Sequence, residues 1–185
     1  SRGSIVPLFQ RRLAEGAKSL PITDPRMTRF WITLEQGVQF VLSCLSIMKR
    51  GEIFVPKIPS MSVVDLARVI APNLPHTIIG IRPGEKLHEL MITEDDARVT
   101  LELDDRYVIC PPFPEWSANH LAPHDAQPVA EGFCYSSDRN TEWLKRPIVR
   151  KIAAYVEWER GIYSKTFNTE VLTAICWVVT QGGEH

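Results

Sequence analysis

Glycine is sparse in this chain, and its ten residues never fall in Gly-x-Gly-x-x-Gly spacing. That excludes the strand-to-helix turn whose bare backbone approaches a dinucleotide pyrophosphate. No tyrosine has a lysine four positions on: Pro111, Arg139, Glu159 and Phe167 follow Tyr107, Tyr135, Tyr155 and Tyr163 at that distance. A phenol base activated by a neighbouring ammonium on the same helix face is therefore missing. The four cysteines, Cys44, Cys110, Cys134 and Cys176, are far apart and form no Cys-x-x-Cys. Free thiols in a reducing cytoplasm fit that spacing better than a disulfide framework or a zinc site. Excess charge is absent too, with a net charge of −1, so bulk electrostatics give no support to a nucleic-acid surface. No apolar run reaches membrane-spanning length, the amino terminus carries no signal-peptide pattern, and no repeat or low-complexity tract is visible. The expected partners therefore include neither nucleic acid nor a membrane.

What is present suits one ordinary domain: 185 residues, 44% of them apolar, suffice for a core. Ser4 can cap a first helix with Pro7 in its opening turn and Gly16 near its end, placing Leu8, Phe9 and Leu13 toward the core. Residues 18–32 are proline-punctuated and read as a loop leading into a short strand. Thr33-Leu34-Glu35-Gln36 is a capping box that opens a helix through Met48, with Val38, Val41, Leu42, Leu45 and Met48 at helical spacing. Glu52–Val55 reads as a strand stopped by Pro56, and Ser62-Val63-Val64-Asp65 starts a helix with Leu66, Val69 and Ile70 inward. Strand and helix alternate, which predicts an α/β architecture. Val99–Leu103 and Arg106–Cys110 flank Asp104-Asp105 as a hairpin, and the proline-rich residues 111–131 read as a loop.

One stretch concentrates the chemistry. Thr77-Ile78-Ile79-Gly80-Ile81 predicts a short buried strand, and Pro83-Gly84 forces a turn that leaves Arg82 at the strand's carboxyl end. Open α/β sheets bind ligands at that end. Glu85 to His88 would begin a helix whose first amides favour an anion. A guanidinium there matches two phosphate oxygens of a diphosphate with its fork of donors. A surface pair between Arg82 and Glu85 is the plainer alternative.

With Phe54-Val55-Pro56-Lys57, Tyr135-Ser136-Ser137, Ser1-Arg2-Gly3-Ser4 and the segment Leu20-Pro21-Ile22-Thr23-Asp24-Pro25-Arg26-Met27-Thr28-Arg29-Phe30-Trp31-Ile32-Thr33, this stretch resembles the inverting UDP-N-acetylglucosamine 4,6-dehydratases. Those are extended short-chain dehydrogenase/reductase enzymes that open the route to pseudaminic acid and related surface sugars. The resemblance runs from Ser1 to about Leu144 and implies a fold: the α/β substrate-binding part of a Rossmann-like enzyme, lacking its amino-terminal Rossmann half. It also implies that the catalytic groups and the tight NADP site lie upstream of residue 1, in a cytoplasmic enzyme whose parent is a homo-oligomer.

By the same resemblance Arg29 and Arg82 contact the diphosphate of a UDP-sugar, and Glu85 accepts hydrogen bonds from its ribose. Ile22 and Thr23 line the uracil pocket and Met27 packs it, while Ser1 and Arg2 lie beside the nicotinamide of the whole enzyme. Plainer readings stand beside these: a snorkelling Arg29, a Glu85 that compensates a helix terminus, a frayed amino terminus, and turn capping by Tyr135–Asp138. His88 reads as a helix residue with a satisfied ring, Lys57 as a loop lysine, and His120 and His124 as no metal pair because Pro123 breaks any helix between them.

After Leu144 the resemblance stops. Residues 145–161 suit an amphipathic helix with Ile148, Ile152, Tyr155 and Val156 in a stripe, and Val171–Val179 is strongly apolar and β-prone. The expected division is therefore 1–144 as the substrate-binding portion and 145–185 as a divergent tail, whose shift in character fits a frame change or a fusion junction. Two rival functions fit the same arginines: part of a nucleotide-sugar epimerase, or a non-catalytic nucleotide-binding or assembly module.

Overall fold

Thr33 accepts a hydrogen bond from the Gln36 amide at 3.2 Å and Gln36 Oε1 returns one from the Thr33 amide at 3.0 Å. This reciprocal cap opens a fourteen-residue helix where the sequence placed it. In the computed structural model, residues 5–49, 51–111 and 126–144 are described. Ser1, Arg2 and Ser4, the segment carrying His120 and His124, and the 145–185 tail lie outside the described residues.

Along the chain come α1 (Ile5–Ala14), β1 (Leu20–Ile22), β2 (Thr28–Phe30), α2 (Leu34–Ile47), β3 (Ile53–Pro56), β4 (Ser60–Ser62) and α3 (Val63–Ile70). β5 (His76–Ile78), β6 (Leu90–Ile92), α4 (Glu94–Ala97), β7 (Thr100–Glu102), β8 (Arg106–Ile109), β9 (Gln127–Pro128) and β10 (Tyr135–Ser136) follow. The mixed α/β class holds. β1 and β5 are parallel, and β2–β4, β6–β10 and the sheet β3-β8-β7-β9 are antiparallel.

The main core joins α1, β1, β2, β4 and α3 through Val6, Phe9, Leu20, Ile22, Met27, Met61, Val63, Leu66 and Ala67. Burying such side chains contributes roughly 1.5–3 kcal/mol each relative to leaving them in water. A second cluster sets Val55, Ile92, Tyr107 and Tyr135 together, with Phe30 4.7 Å and Tyr107 5.1 Å from the Tyr135 ring. Tyr135 Oη ties this cluster to the backbone: it accepts from the Ile58 amide at 2.9 Å and donates to the Ile58 carbonyl at 3.0 Å.

Several expectations need correction. Residues 18–32 contain two strands rather than one, each too short for a periodicity reading. The predicted strand at 77–81 is β5, three residues long and not buried; Ile78 is 56% exposed, and no described element covers that face. No helix begins at Glu85. Only Glu85 to Glu89 separate Gly84 from β6, too few residues to offset helix nucleation, and the Lys86 and Leu87 carbonyls are bound elsewhere. Of residues 111–131, Gln127–Pro128 form β9 on the edge of the four-stranded sheet. The α2 stripe does not face the core: Leu42, Leu45 and Met48 are exposed, and the helix buries Gly37 and Cys44 instead.

Candidate functional site

Arg82-Pro83-Gly84-Glu85 is a type II turn. The Glu85 amide donates to the Arg82 carbonyl at 3.0 Å, proline sits at the second position, and Gly84 has φ +81°. Glu85 Oε2 receives the Arg82 amide at 3.2 Å, so its carboxylate serves the turn's backbone rather than the Arg82 side chain. The Arg82 guanidinium is exposed and makes no hydrogen bond or ion pair with the described residues. The surface pair that the sequence also allowed is therefore not formed.

Behind the turn, residues 86–89 are fastened to β2. The Thr28 amide donates to the Leu87 carbonyl at 3.2 Å. Arg29 Nη1 donates to the carbonyls of Thr28 at 2.6 Å and Leu87 at 3.1 Å, and Nη2 donates to that of Lys86 at 3.1 Å. Met27 Sδ lies 3.8 Å from Nη2, and Glu89 Oε1 lies 3.8 Å from Nε. Most of the guanidinium's donor capacity is thus spent on the loop that carries Arg82. Glu89 Oε2 also accepts the Phe30 amide at 2.7 Å, closing the clamp from the other side.

A second set of contacts reaches the same loop from the far end of the sequence. Ser137 Oγ accepts the Glu89 amide at 2.9 Å, the Ser137 amide donates to the Glu89 carbonyl at 2.8 Å, and Thr28 Oγ1 stands 2.7 Å from Ser137 Oγ and 2.8 Å from His88 Nδ1. Sequence reasoning missed Thr28, His88, Glu89 and Ser137 as a group. The only local signal was the Tyr135-Ser136-Ser137 motif, which carries no mark of a contact so distant in the chain.

Ile22 and Met27 are core residues. Ile22 is fully buried, its carbonyl taken by the Ile79 amide at 2.9 Å, and the Met27 carbonyl accepts the Val63 amide at 3.0 Å. Their side chains can shape a wall, and neither presents a free backbone acceptor. Thr23 is half-buried on the bend between β1 and β2. Beside it Asp24 accepts from Arg26 Nη2 at 2.8 Å and Nε at 3.0 Å, and these hydrogen bonds, with one from the Arg26 amide, hold its carboxyl down at about 2. Lys57 pairs with Glu102 at 2.8 Å and lies over the Tyr107 ring.

Away from this region, Arg106 is buried between Asp105, Ser43 Oγ and Cys44 Sγ. Burial pushes the Cys44 thiol up, against the opposing pull of Arg106, which makes it a packing residue rather than a nucleophile. Among the described residues no group of His, Cys, Asp and Glu could hold a metal, and no helix is long and apolar enough to cross a membrane. Nor do they fit a dinucleotide: Gly16, Gly51, Gly80, Gly84 and Gly132 have positive φ, and none joins a strand to the start of a helix.

The sequence profile of the polysaccharide biosynthesis protein family matches residues 1–111. The chain belongs to that family. This family member is 52% identical over 163 residues to "UDP-N-acetylglucosamine 4,6-dehydratase (inverting)" of Campylobacter jejuni, covering 85% of this chain and 48% of that protein. A "UDP-glucose 4-epimerase" of Rickettsia canadensis is 36% identical over 113 residues, covering 59% of this chain and 33% of the epimerase. Among solved structures, Pen from Bacillus thuringiensis superposes with a TM-score of 0.70 at 30% identity, over 85% of this chain and 47% of Pen. The chain thus spans about half the length of the Campylobacter dehydratase and of Pen, and about a third of the epimerase. The resemblance read from the motifs is borne out.

Proposed function

We propose that this chain is the nucleotide-sugar-holding portion of a UDP-N-acetylglucosamine 4,6-dehydratase that inverts C5, working with NADP in the intact enzyme. The observation that carries the reading is the exposed Arg82 guanidinium, without a partner among the described residues, on a turn whose backbone is tied by hydrogen bonds. A cation with free donors suits a diphosphate, and a backbone already ordered leaves less loop freedom to be lost on binding. The 52% identity to the Campylobacter dehydratase, against 36% to the Rickettsia epimerase, favours dehydration over epimerisation.

In this reading Arg82 holds the diphosphate. Arg29 adds its charge to the same neighbourhood and acts mainly by holding the loop. Glu85 fixes the turn and offers its remaining oxygen to a ribose hydroxyl, while Thr23, with Ile22 and Met27 behind it, borders the base. Remote binding energy of this kind positions a sugar for chemistry performed by other groups. Residues 1–144 are the substrate portion, with no role assigned to 145–185. By the resemblance alone, Ser1 and Arg2 belong near the nicotinamide of the intact enzyme, a cytoplasmic homo-oligomer making surface sugars.

Calorimetric titration of UDP-N-acetylglucosamine into the protein tests the reading, with Arg82→Ala as control. A loss of affinity of tenfold or more, about 1.4 kcal/mol, is expected. Equal affinity in the mutant would remove Arg82 from the site. Product analysis on the intact enzyme separates a 4-keto-6-deoxy product from an epimer.

A further inference from the structure

The Ser137–Thr28–His88 chain of hydroxyls and imidazole has only one proton arrangement that satisfies every member. Ser137 Oγ receives the Glu89 amide at 2.9 Å, and its own hydrogen has Thr28 Oγ1 at 2.7 Å as its acceptor among the described residues. The Thr28 hydroxyl must then donate onward to His88 Nδ1 at 2.8 Å. That requires an imidazole whose Nδ1 is bare and whose hydrogen sits on Nε2. If Nδ1 carries a proton, His88 donates to Thr28, and one hydroxyl hydrogen, that of Thr28 or that of Ser137, is left without an acceptor among the described residues; Thr28 is 6% exposed and Ser137 is fully buried. An unsatisfied buried hydroxyl is costly.

We propose that Ser137, Thr28 and His88 are positioning residues that lock the Arg82–Glu89 segment in its nucleotide-binding form only while His88 is neutral, so that protonation of His88 loosens the segment and weakens binding of a sugar nucleotide. The affinity half of this inference rests on the proposed function; the lock itself rests on geometry alone.

The charged groups around His88 come from several segments. Asp24 and Asp138 are the carboxylates that feel the imidazole electrostatically. Each is partly occupied: Asp24 by the Arg26 guanidinium at 2.8 Å, and Asp138 by the Ser136 hydroxyl at 2.7 Å, with Arg139 also acting on it. Arg29 and Glu89 flank the ring's own segment and pair loosely at 3.8 Å. With one proton order that satisfies every member, the relay is a directional device rather than a passive cap.

Two arms test this on the full 185-residue chain. In the first, without ligand, nitrogen NMR of the imidazole reads the His88 tautomer and hydrogen exchange reads protection of the Glu89 amide. The expected result at about pH 7.5 is the Nε2–H form with a protected amide. Protection should fall at least tenfold in Ser137→Ala and in Thr28→Val, and return in Thr28→Ser, which restores the hydroxyl. Because Thr28→Val removes a buried polar group and can disturb folding, near-ultraviolet dichroism accompanies it and Ser137→Ala stands as the independent variant. An Nδ1–H tautomer in the neutral chain, or unchanged protection in folded Ser137→Ala, overturns the lock.

The second arm titrates UDP-N-acetylglucosamine, whose diphosphate diester has no group ionising near neutrality. Affinity should fall about tenfold between about pH 7.5 and about pH 5.5, and His88→Gln should flatten that dependence. Equal wild-type affinity at both pH values overturns the coupling to binding. A lock upheld in the first arm with no binding at either pH overturns the nucleotide reading, and the coupling with it.

Discussion

Replacing Arg29 by lysine separates two roles that a loss-of-charge mutant would confound. The ammonium keeps the charge that a diphosphate would feel, but it lacks the planar fork that spans the carbonyls of Thr28, Leu87 and Lys86 at 2.6, 3.1 and 3.1 Å. A lysine can reach one of the three, so two charge-assisted bonds are lost at roughly 1.5 kcal/mol each. The side chain is one-quarter exposed, and water replaces part of that loss. The net cost to the ligand-free protein is then about 2 kcal/mol. For a domain of this size that lowers Tm by roughly 4–8 °C, and it should move the urea midpoint without changing the slope. Calorimetry and urea unfolding of ligand-free wild type and Arg29→Lys provide the measurement. An unchanged Tm together with a large loss of UDP-N-acetylglucosamine affinity would refute the clamp and return Arg29 to direct phosphate contact.

Tyr135→Phe keeps the ring that packs on Phe30 and Tyr107 but strands the buried Ile58 amide, while Asn140 Nδ2, at 2.8 Å, still serves the Ile58 carbonyl. The expected cost is about 2 kcal/mol in urea unfolding, and a value under about 0.5 kcal/mol would mean that water replaces the phenol. Burial, reinforced by the Glu102 carboxylate, pushes the Tyr107 phenol up to about 12, and burial also raises Tyr135. A raised acid of this kind adds stability that is fully present below pH about 10, where the unfolded phenol titrates, and is lost as pH rises toward 12. The urea midpoint should therefore fall across that window and fall less in Tyr107→Phe. Phenolate absorbance from Tyr107 appearing at the ordinary tyrosine value while the protein stays folded would contradict this.

The legible parts of the fold were those whose causes are local. Thr33 and Gln36 cap α2 from three residues apart, Ser62 caps α3 through the Asp65 amide at 3.0 Å, and Asp104-Asp105 turn β7 into β8. Arg82 was found for the same reason, since Pro83 and Gly84 specify the turn that displays it. The misreadings lie where distant partners decide. Glu85 to His88 have nothing locally against a helix, yet Leu87 is drawn into the main core and its carbonyl is claimed by Arg29 and Thr28. Ile78 of β5, with Ile79 and Ile81 just after it, signals burial by composition, but all three are exposed among the described residues. The α2 stripe has the helical period of a core face while its described neighbours sit on the opposite side. His88 changes from an unremarkable helix residue to one end of a relay only once Ser137 arrives.

That arrival has a kinetic meaning. Thr28 and Ser137 are 109 positions apart, and Ser60 of β4, a strand already paired with β2, must likewise meet Glu142 and Leu144 before its other side is bordered. Closing so long a loop costs conformational entropy that no neighbouring contact returns until the ends meet. During synthesis the main core can collect from residues 5–71 while the turn bearing Ser137 has yet to emerge. The Arg82 turn is therefore made early and secured late. A ribosome stalled before residue 137 would hold a chain with much of its hydrophobic centre assembled and its Arg82 loop still unlatched.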